Sequence, residues 1–130
     1  MMPVVIDASA LVDLVVQSEQ APAVAQAVGS SDMVAPDVVN PEVLSILRRL
    51  EQTGELAARQ AVQAVDDLMD APVRRFSTAP LLAEVWTLRA NVTAADACYV
   101  VLARTLRCPL VTADRKLSRA PGLGVPLVMV

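Results

Sequence analysis

The feature that most narrows the fold is a series of short, unbroken apolar segments, each followed by a helical pattern. Pro3-Val4-Val5-Ile6, Met33-Val34-Ala35, Val73 to Phe76, Leu110-Val111-Thr112 and Leu127 to Val130 read as strands. Between them, Ala8 to Val16, Ala21 to Val28, Leu56 to Met69, Leu81 to Arg89, Thr93 to Leu106 and Arg115 to Arg119 read as helices. Asn40-Pro41-Glu42 opens a further helix through about Gln52, with Pro41 at its first position and Gly54 just beyond its end. The strands lack polar alternation, so both of their faces are expected to be covered. Strands buried on both sides and alternating with helices imply an α/β fold. The expected architecture is three layers, α/β/α, around a short central parallel sheet of four to five strands. The 130 residues fit one domain, 1–130, with no internal repeat or linker.

Composition sharpens this picture. Hydrophobic residues make up 55% of the chain but aromatics only 2%, so the core is built from Val, Leu, Ala, Ile and Met. The surplus of apolar residues also points to a face covered by a partner. Charge interrupts every apolar run before the roughly 18 residues a membrane span needs. The apolar N-terminus has no basic leader residues and carries Asp7 and Asp13, so it makes a poor signal peptide. Cys98 and Cys108 form neither a C-x-x-C nor a disulfide framework. Reduced thiols in a cytoplasmic protein are the expectation, with Cys98 as a small core residue.

In a sheet of this kind, ligands bind outside the carboxyl ends of the strands. Four acids fall there. Asp7 ends the first strand, and Asp114 follows Val111-Thr112-Ala113. Glu42 stands near the start of its helix, and Asp96 lies in the first turn of the helix opened by Thr93. Each has an ordinary explanation: Asp7 and Asp114 can cap helices, Glu42 and Asp96 suit a helix N-terminus, and Thr93-x-x-Asp96 approximates a capping box. Jointly they mean more. Carboxylates converging on one pocket repel each other unless cations neutralise them. An all-oxygen donor set selects hard cations such as Mg²⁺ or Mn²⁺.

The chain contains no histidine. That excludes Ser–His and Cys–His nucleophilic catalysis, histidine acid–base chemistry and typical zinc hydrolase sites. There is no G-x-x-x-x-G-K-[ST], no G-x-G-x-x-G, and only four glycines, which disfavours a nucleotide-cradling loop. What remains is hydrolysis of a phosphoester by a metal-activated water. The net charge of −3 argues against a broad basic surface for nucleic acid. Against that, ten of the eleven basic residues are Arg, the better phosphate fork. Arg48, Arg49, Arg74, Arg75, Arg104, Arg107, Arg115, Lys116 and Arg119 could either line an RNA path or form a solvated face. Arg115 and Lys116, adjacent to Asp114, are the preferred RNA contacts. Trp86 is expected in the core or at a dimer interface.

Four segments carry a family resemblance. They are Val5-Ile6-Asp7-Ala8-Ser9-Ala10-Leu11, Pro36 to Leu47 with Glu42, Asn91-Val92-Thr93-Ala94-Ala95-Asp96-Ala97, and Leu110-Val111-Thr112-Ala113-Asp114-Arg115-Lys116-Leu117. In order and spacing they resemble the PIN domain, and within it the VapC toxins of type II toxin–antitoxin pairs. The resemblance implies Mg²⁺ or Mn²⁺ held by Asp7, Asp96 and Asp114, with Glu42 acting directly or through water. It implies that Ser9 and Thr112 support the pocket by hydrogen bonds. It also implies an endoribonuclease that cleaves tRNA or ribosomal RNA, forms homodimers and is silenced by a VapB-like antitoxin. Ala95 departs from the family, which often has an aromatic before the third acid, and this puts substrate stacking there in doubt. Two other readings compete. A non-catalytic module of the same fold would bind a partner, but it would not need all four acids. A receiver-like phospho-acceptor domain would need a Lys ending a late strand, whereas the one Lys, Lys116, falls on a helix.

Overall fold

A computed structural model describes residues 2–130. Five strands form one sheet: β1 (Pro3–Ile6), β2 (Asp32–Pro36), β3 (Val73–Phe76), β4 (Leu110–Thr112) and β5 (Leu127–Met129). Their order is β3-β2-β1-β4-β5, and every neighbouring pair is parallel. The helices are α1 (Ala8–Val16), α2 (Ala21–Val28), α3 (Val39–Gln52), α4 (Ala58–Asp70), α5 (Leu82–Thr87), α6 (Ala94–Leu106) and α7 (Arg115–Arg119).

The strand order explains the layers. From β1 to β3 the chain steps outward in one direction, then it crosses back over β2 and β1 to place β4 on the other side of β1. Right-handed crossovers in opposite directions put their helices on opposite faces. Accordingly α1 packs with α2, α3 and α4, while α6 packs with α5 and lies against β1, β2 and β4. Central β1 has Val4, Val5 and Ile6 buried, as the apolar run requires. Helix α6 is buried at seven successive positions, Ala97 to Ala103, including Cys98. A helix apolar all round needs cover on every side, and here the sheet, α5 and the chain's last turns supply it. Arg104 fastens those turns: its guanidinium donates to the carbonyls of Leu123 (2.6 Å) and Gly122 (2.8 Å) and pairs with Glu84 (3.4 Å).

Several boundaries differ from expectation. Helix α3 begins at Val39, so Pro41 is its third residue and not its first. The first turn has no intrahelical use for its N–H groups, so proline is tolerated there. Leu56 precedes α4 and is buried in the turn, while Gln60 reaches back to accept from the Ala57 N–H (2.8 Å) and opens the helix two residues later than expected. Leu81 to Arg89 is not one helix: a 3-10 turn, Ala79–Leu81, leads into α5, which ends at Thr87. Pro80 in that turn accounts for the tighter start. Trp86 is not core, being 66% exposed. Edge strand β3 carries two arginines facing opposite ways. Arg75 donates to Asn40 Oδ1 (2.9 Å) and to the Val73 and Leu68 carbonyls, tying the edge to α3 and α4. Arg74 lies over the Phe76 ring at 4.9 Å. Among the described residues, no helix is long and apolar enough to cross a membrane.

Leu110, fully buried on β4, tests the central core. Leu110→Ala is expected to cost about 2–5 kcal/mol, read as a lower urea midpoint at unchanged slope. A loss below about 1 kcal/mol would show that β4 is not part of the central core.

Candidate active site

The β1–β4 junction is where the chain turns to opposite sides of the sheet, and the carboxyl ends of these two strands form a crevice. Asp7 leaves β1 there, with its N–H donating to the Val111 carbonyl on β4 (3.1 Å). Its side chain caps α1 by accepting from the Ala10 N–H (3.0 Å). The same Oδ1 accepts from the Ser9 hydroxyl (2.7 Å), and Oδ2 accepts from the Thr112 hydroxyl. Ser9 Oγ in turn accepts from the Ala113 N–H (3.1 Å), and Thr112 Oγ1 from the Asp114 N–H (2.9 Å). These reciprocal bonds lock the exit of β1 to the exit of β4. Asp114 caps α7 through the Lys116 N–H (2.9 Å).

Asp96 is the third residue of α6, and its N–H is capped by Thr93 Oγ1 (3.2 Å). Glu42 comes from the first turn of α3, on the opposite face of the sheet from α6, and accepts at Oε1 from the Tyr99 hydroxyl (2.6 Å). The helix-start explanations for these acids are thus physically real. They do not compete with a shared role: Asp114 caps through Oδ1 alone, and the Asp7 oxygens, though both accept hydrogen bonds, keep further lone pairs.

The four acids act on one another by charge. Burial pushes Asp7, only 7% exposed, above its ordinary value; the bonds from Thr112, Ala10 and Ser9 oppose this, and the Asp114 charge adds to it. Burial raises Glu42 as well; the Tyr99 hydrogen bond opposes the rise, and the charges of Asp96 and Asp7 reinforce it. Asp96 is raised by burial and by Asp114, against the Thr93 hydroxyl and the Lys116 charge. The like-charge influences close a ring: Asp7 with Asp114, Asp7 with Glu42, Glu42 with Asp96, and Asp96 with Asp114. The Lys116 charge opposes the rise at Asp96.

Such a ring lacks positive charge, and its donors are all oxygen, which fits a hard cation. The acids do not form a closed cage: among the described residues, no three acidic, cysteine or histidine side chains stand ready to enclose an ion.

A family model described as "PIN domain" matches residues 4–123. The chain is 35% identical over 127 residues to VapC ribonuclease Mb0985 of Mycobacterium bovis, covering 98% of each. It is 39% identical over 118 residues to ribonuclease VapC3 of Mycobacterium tuberculosis, covering 90% of this chain and 86% of that one. The chain belongs to the VapC branch of the PIN-domain family. Solved structures agree on the fold. The Mycobacterium tuberculosis toxin VapC20, described as cleaving the sarcin-ricin loop, superposes with TM-score 0.67 at 18% identity, over 88% of this chain and 92% of that one. VapBC2 from Rickettsia felis, solved on a DNA fragment from its promoter, gives 0.69 at 12% identity over 98% of both chains.

In this VapC-type chain Ser9 and Thr112 are bonded to Asp7, Thr112 also accepts from the Asp114 N–H, and Glu42 and Asp96 stand at the first turns of α3 and α6. Arg115 and Lys116 lie exposed at the start of α7. Arg75 and Arg104 hold backbone carbonyls and are not free to line an RNA path. Two residues were missed. Tyr99 meets Glu42 across the sheet, and its signal was available: a lone tyrosine inside an apolar helix needs a partner for its hydroxyl. Arg89 stacks on Trp86 at 4.6 Å and helps line a groove of about 440 Å³ with Asn91, Thr93, Asp96 and Lys116.

A carboxyl raised in the folded chain favours its protonated form there. Its stabilising contribution is full below the unfolded pKa and is lost as pH rises through the folded one. The cation-free VapC-type chain should therefore have a higher urea midpoint at about pH 5 than at about pH 7, by a margin that shrinks in Asp7→Asn. An equal margin in Asp7→Asn would mean that Asp7 does not carry the effect.

Proposed function

We propose that this VapC toxin is a hard-cation-dependent endoribonuclease whose centre is the carboxylate ring of Asp7, Glu42, Asp96 and Asp114. The observation that carries the reading is the hydrogen-bonded junction of Asp7, Ser9, Thr112 and Asp114 at the switch point, with Glu42 and Asp96 placed to act on it by charge. Asp7, Asp96 and Asp114 would hold Mg²⁺ or Mn²⁺, with Glu42 completing the site. When bound, the cation supplies the positive charge that offsets the carboxylates and the charge developing on a phosphodiester. The chain's own residues do the rest. Ser9 and Thr112 fix both oxygens of Asp7, so its orientation is set before a cation arrives.

The groove of Arg89, Asn91, Thr93 and Lys116 reaches Asp96 and gives an RNA strand a cationic approach to the acids. Lys116 and its neighbour Arg115 supply phosphate contacts on the α7 side. Hydrolysis here would leave 5′-phosphate and 3′-hydroxyl ends on a tRNA or ribosomal RNA target, a class the relative's described sarcin-ricin loop cleavage supports. A VapB-type antitoxin is the inhibitory partner, as the VapBC likeness supports. Assembly with it and with a second copy accounts for apolar residues left in solvent, Leu82 and Trp86 one turn apart on α5 among them.

Purified wild-type chain should cut RNA with Mg²⁺ and stop in excess chelator. Asp7→Ala should lose more than about 100-fold in rate, beyond what outer-shell changes cost, with its circular dichroism retained. Wild-type cutting by Asp7→Ala would disprove the assignment. Lys116→Ala should weaken oligonucleotide binding without changing sequence preference and lower the log–log salt slope by about 1. An unchanged slope would remove Lys116 from the path.

A further inference from the structure

Tyr99 has no place in the cation chemistry above, yet it sits where three elements of the site meet. It is the chain's one tyrosine and is 1% exposed, one turn beyond Asp96 on α6. Its hydroxyl donates to Glu42 Oε1 on α3 (2.6 Å), and the backbone of Ala8, next to Asp7, opposes the rise that burial and Glu42 impose on the phenol. Ala8 opens α1, so its N–H belongs to the first turn that has no intrahelical partner. One hydroxyl thus links the helices carrying Asp96 and Glu42 beside the start of α1. The bond engages Oε1 of Glu42, and among the described residues no side-chain or backbone donor reaches Oε2.

We infer that Tyr99 is a positioning residue: its hydroxyl sets where Glu42 stands relative to Asp7 and Asp96 and commits Glu42 to offering the pocket a single oxygen. Packing alone would be served equally by phenylalanine. A half-buried glutamate without that donor could turn away from its like-charged neighbours, and repulsion would drive it to do so. The hydroxyl opposes this with a short bond to a charged acceptor, among the stronger hydrogen bonds available.

The inference rests on the hard-cation reading, and calorimetric titration of the full chain with Mn²⁺ separates the two. Wild type should bind Mn²⁺, and Tyr99→Phe should bind it about 10-fold more weakly, the scale of an outer-shell loss. In a Glu42→Gln background, Tyr99→Phe should change Mn²⁺ affinity no further, because the contact it removes is already altered. No Mn²⁺ binding by wild type would sink the cation reading and the inference with it. Normal wild-type binding with an unaffected Tyr99→Phe, or an equal loss in both backgrounds, would overturn the inference alone. A second measurement leaves Tyr99 in place should the variant fold poorly. A 3-fluorotyrosine label gives one ¹⁹F resonance, which Mg²⁺ should shift in the wild-type chain but not in Glu42→Gln. Equal shifts in both would show that Tyr99 does not sense the cation through Glu42.

Discussion

The lock between β1 and β4 is the interaction on which the rest of the molecule depends. These two strands run side by side, but the chain leaves them for opposite faces of the sheet. No crossover connects them directly, so backbone pairing and side chains together supply the bridge. Asp7 reaches Thr112, Ser9 reaches the Ala113 backbone, and the Thr112 hydroxyl turns back to the Asp114 amide. Thr112 is fully buried and serves as both donor and acceptor. Replacing such a hydroxyl by a methyl would leave a buried carboxylate oxygen and a backbone amide short of partners at once.

The same lock explains why a site can be built here at a tolerable cost in stability. Burying Asp7 raises its pKa, and three hydrogen bonds recover part of that cost. The remainder stays as a standing demand for positive charge. Lys116 meets a share of it from α7, at Asp96. The fold thus stores local instability at one crevice while the Val-, Leu- and Ala-rich core around β1 and α6 carries the stability. Relatives with as little as 12% identity share this arrangement of strands, which is what a fold defined by topology and burial, and not by particular core residues, permits.

Much of this was legible in the sequence because the informative signals are local. Strand runs such as Val4-Val5-Ile6, the glycine closing α2 and the Thr93 cap are each written within a few residues. The acids could be found from topology alone, since strand exits in a parallel sheet share one edge. What sequence reading missed depends on distance through space. The Tyr99–Glu42 bond spans 57 positions, and nothing near either residue announces it. The arginines divided in the same way: Arg75 and Arg104 look like Arg89 in sequence, and only the fold shows that they hold carbonyls. Helix starts shifted where a side chain, Gln60 at α4, supplied a cap that periodicity does not register.

The two arginines of β3 have a consequence for how the molecule behaves in a crowd. β3 is an outer strand, with an unpaired row of backbone groups along its free side, and such a row is a template for another chain. Two adjacent guanidinium groups on a four-residue strand make that template short and like-charged. Arg75, pinned inward by Asn40 and two carbonyls, keeps the strand seated, while exposed Arg74 repels an incoming copy. A chain this rich in valine and leucine would otherwise risk stacking edge to edge into insoluble ribbons. The charge placed on this border disfavours pairing along β3, whereas the opposite outer strand, β5 (Leu127–Met129), carries none.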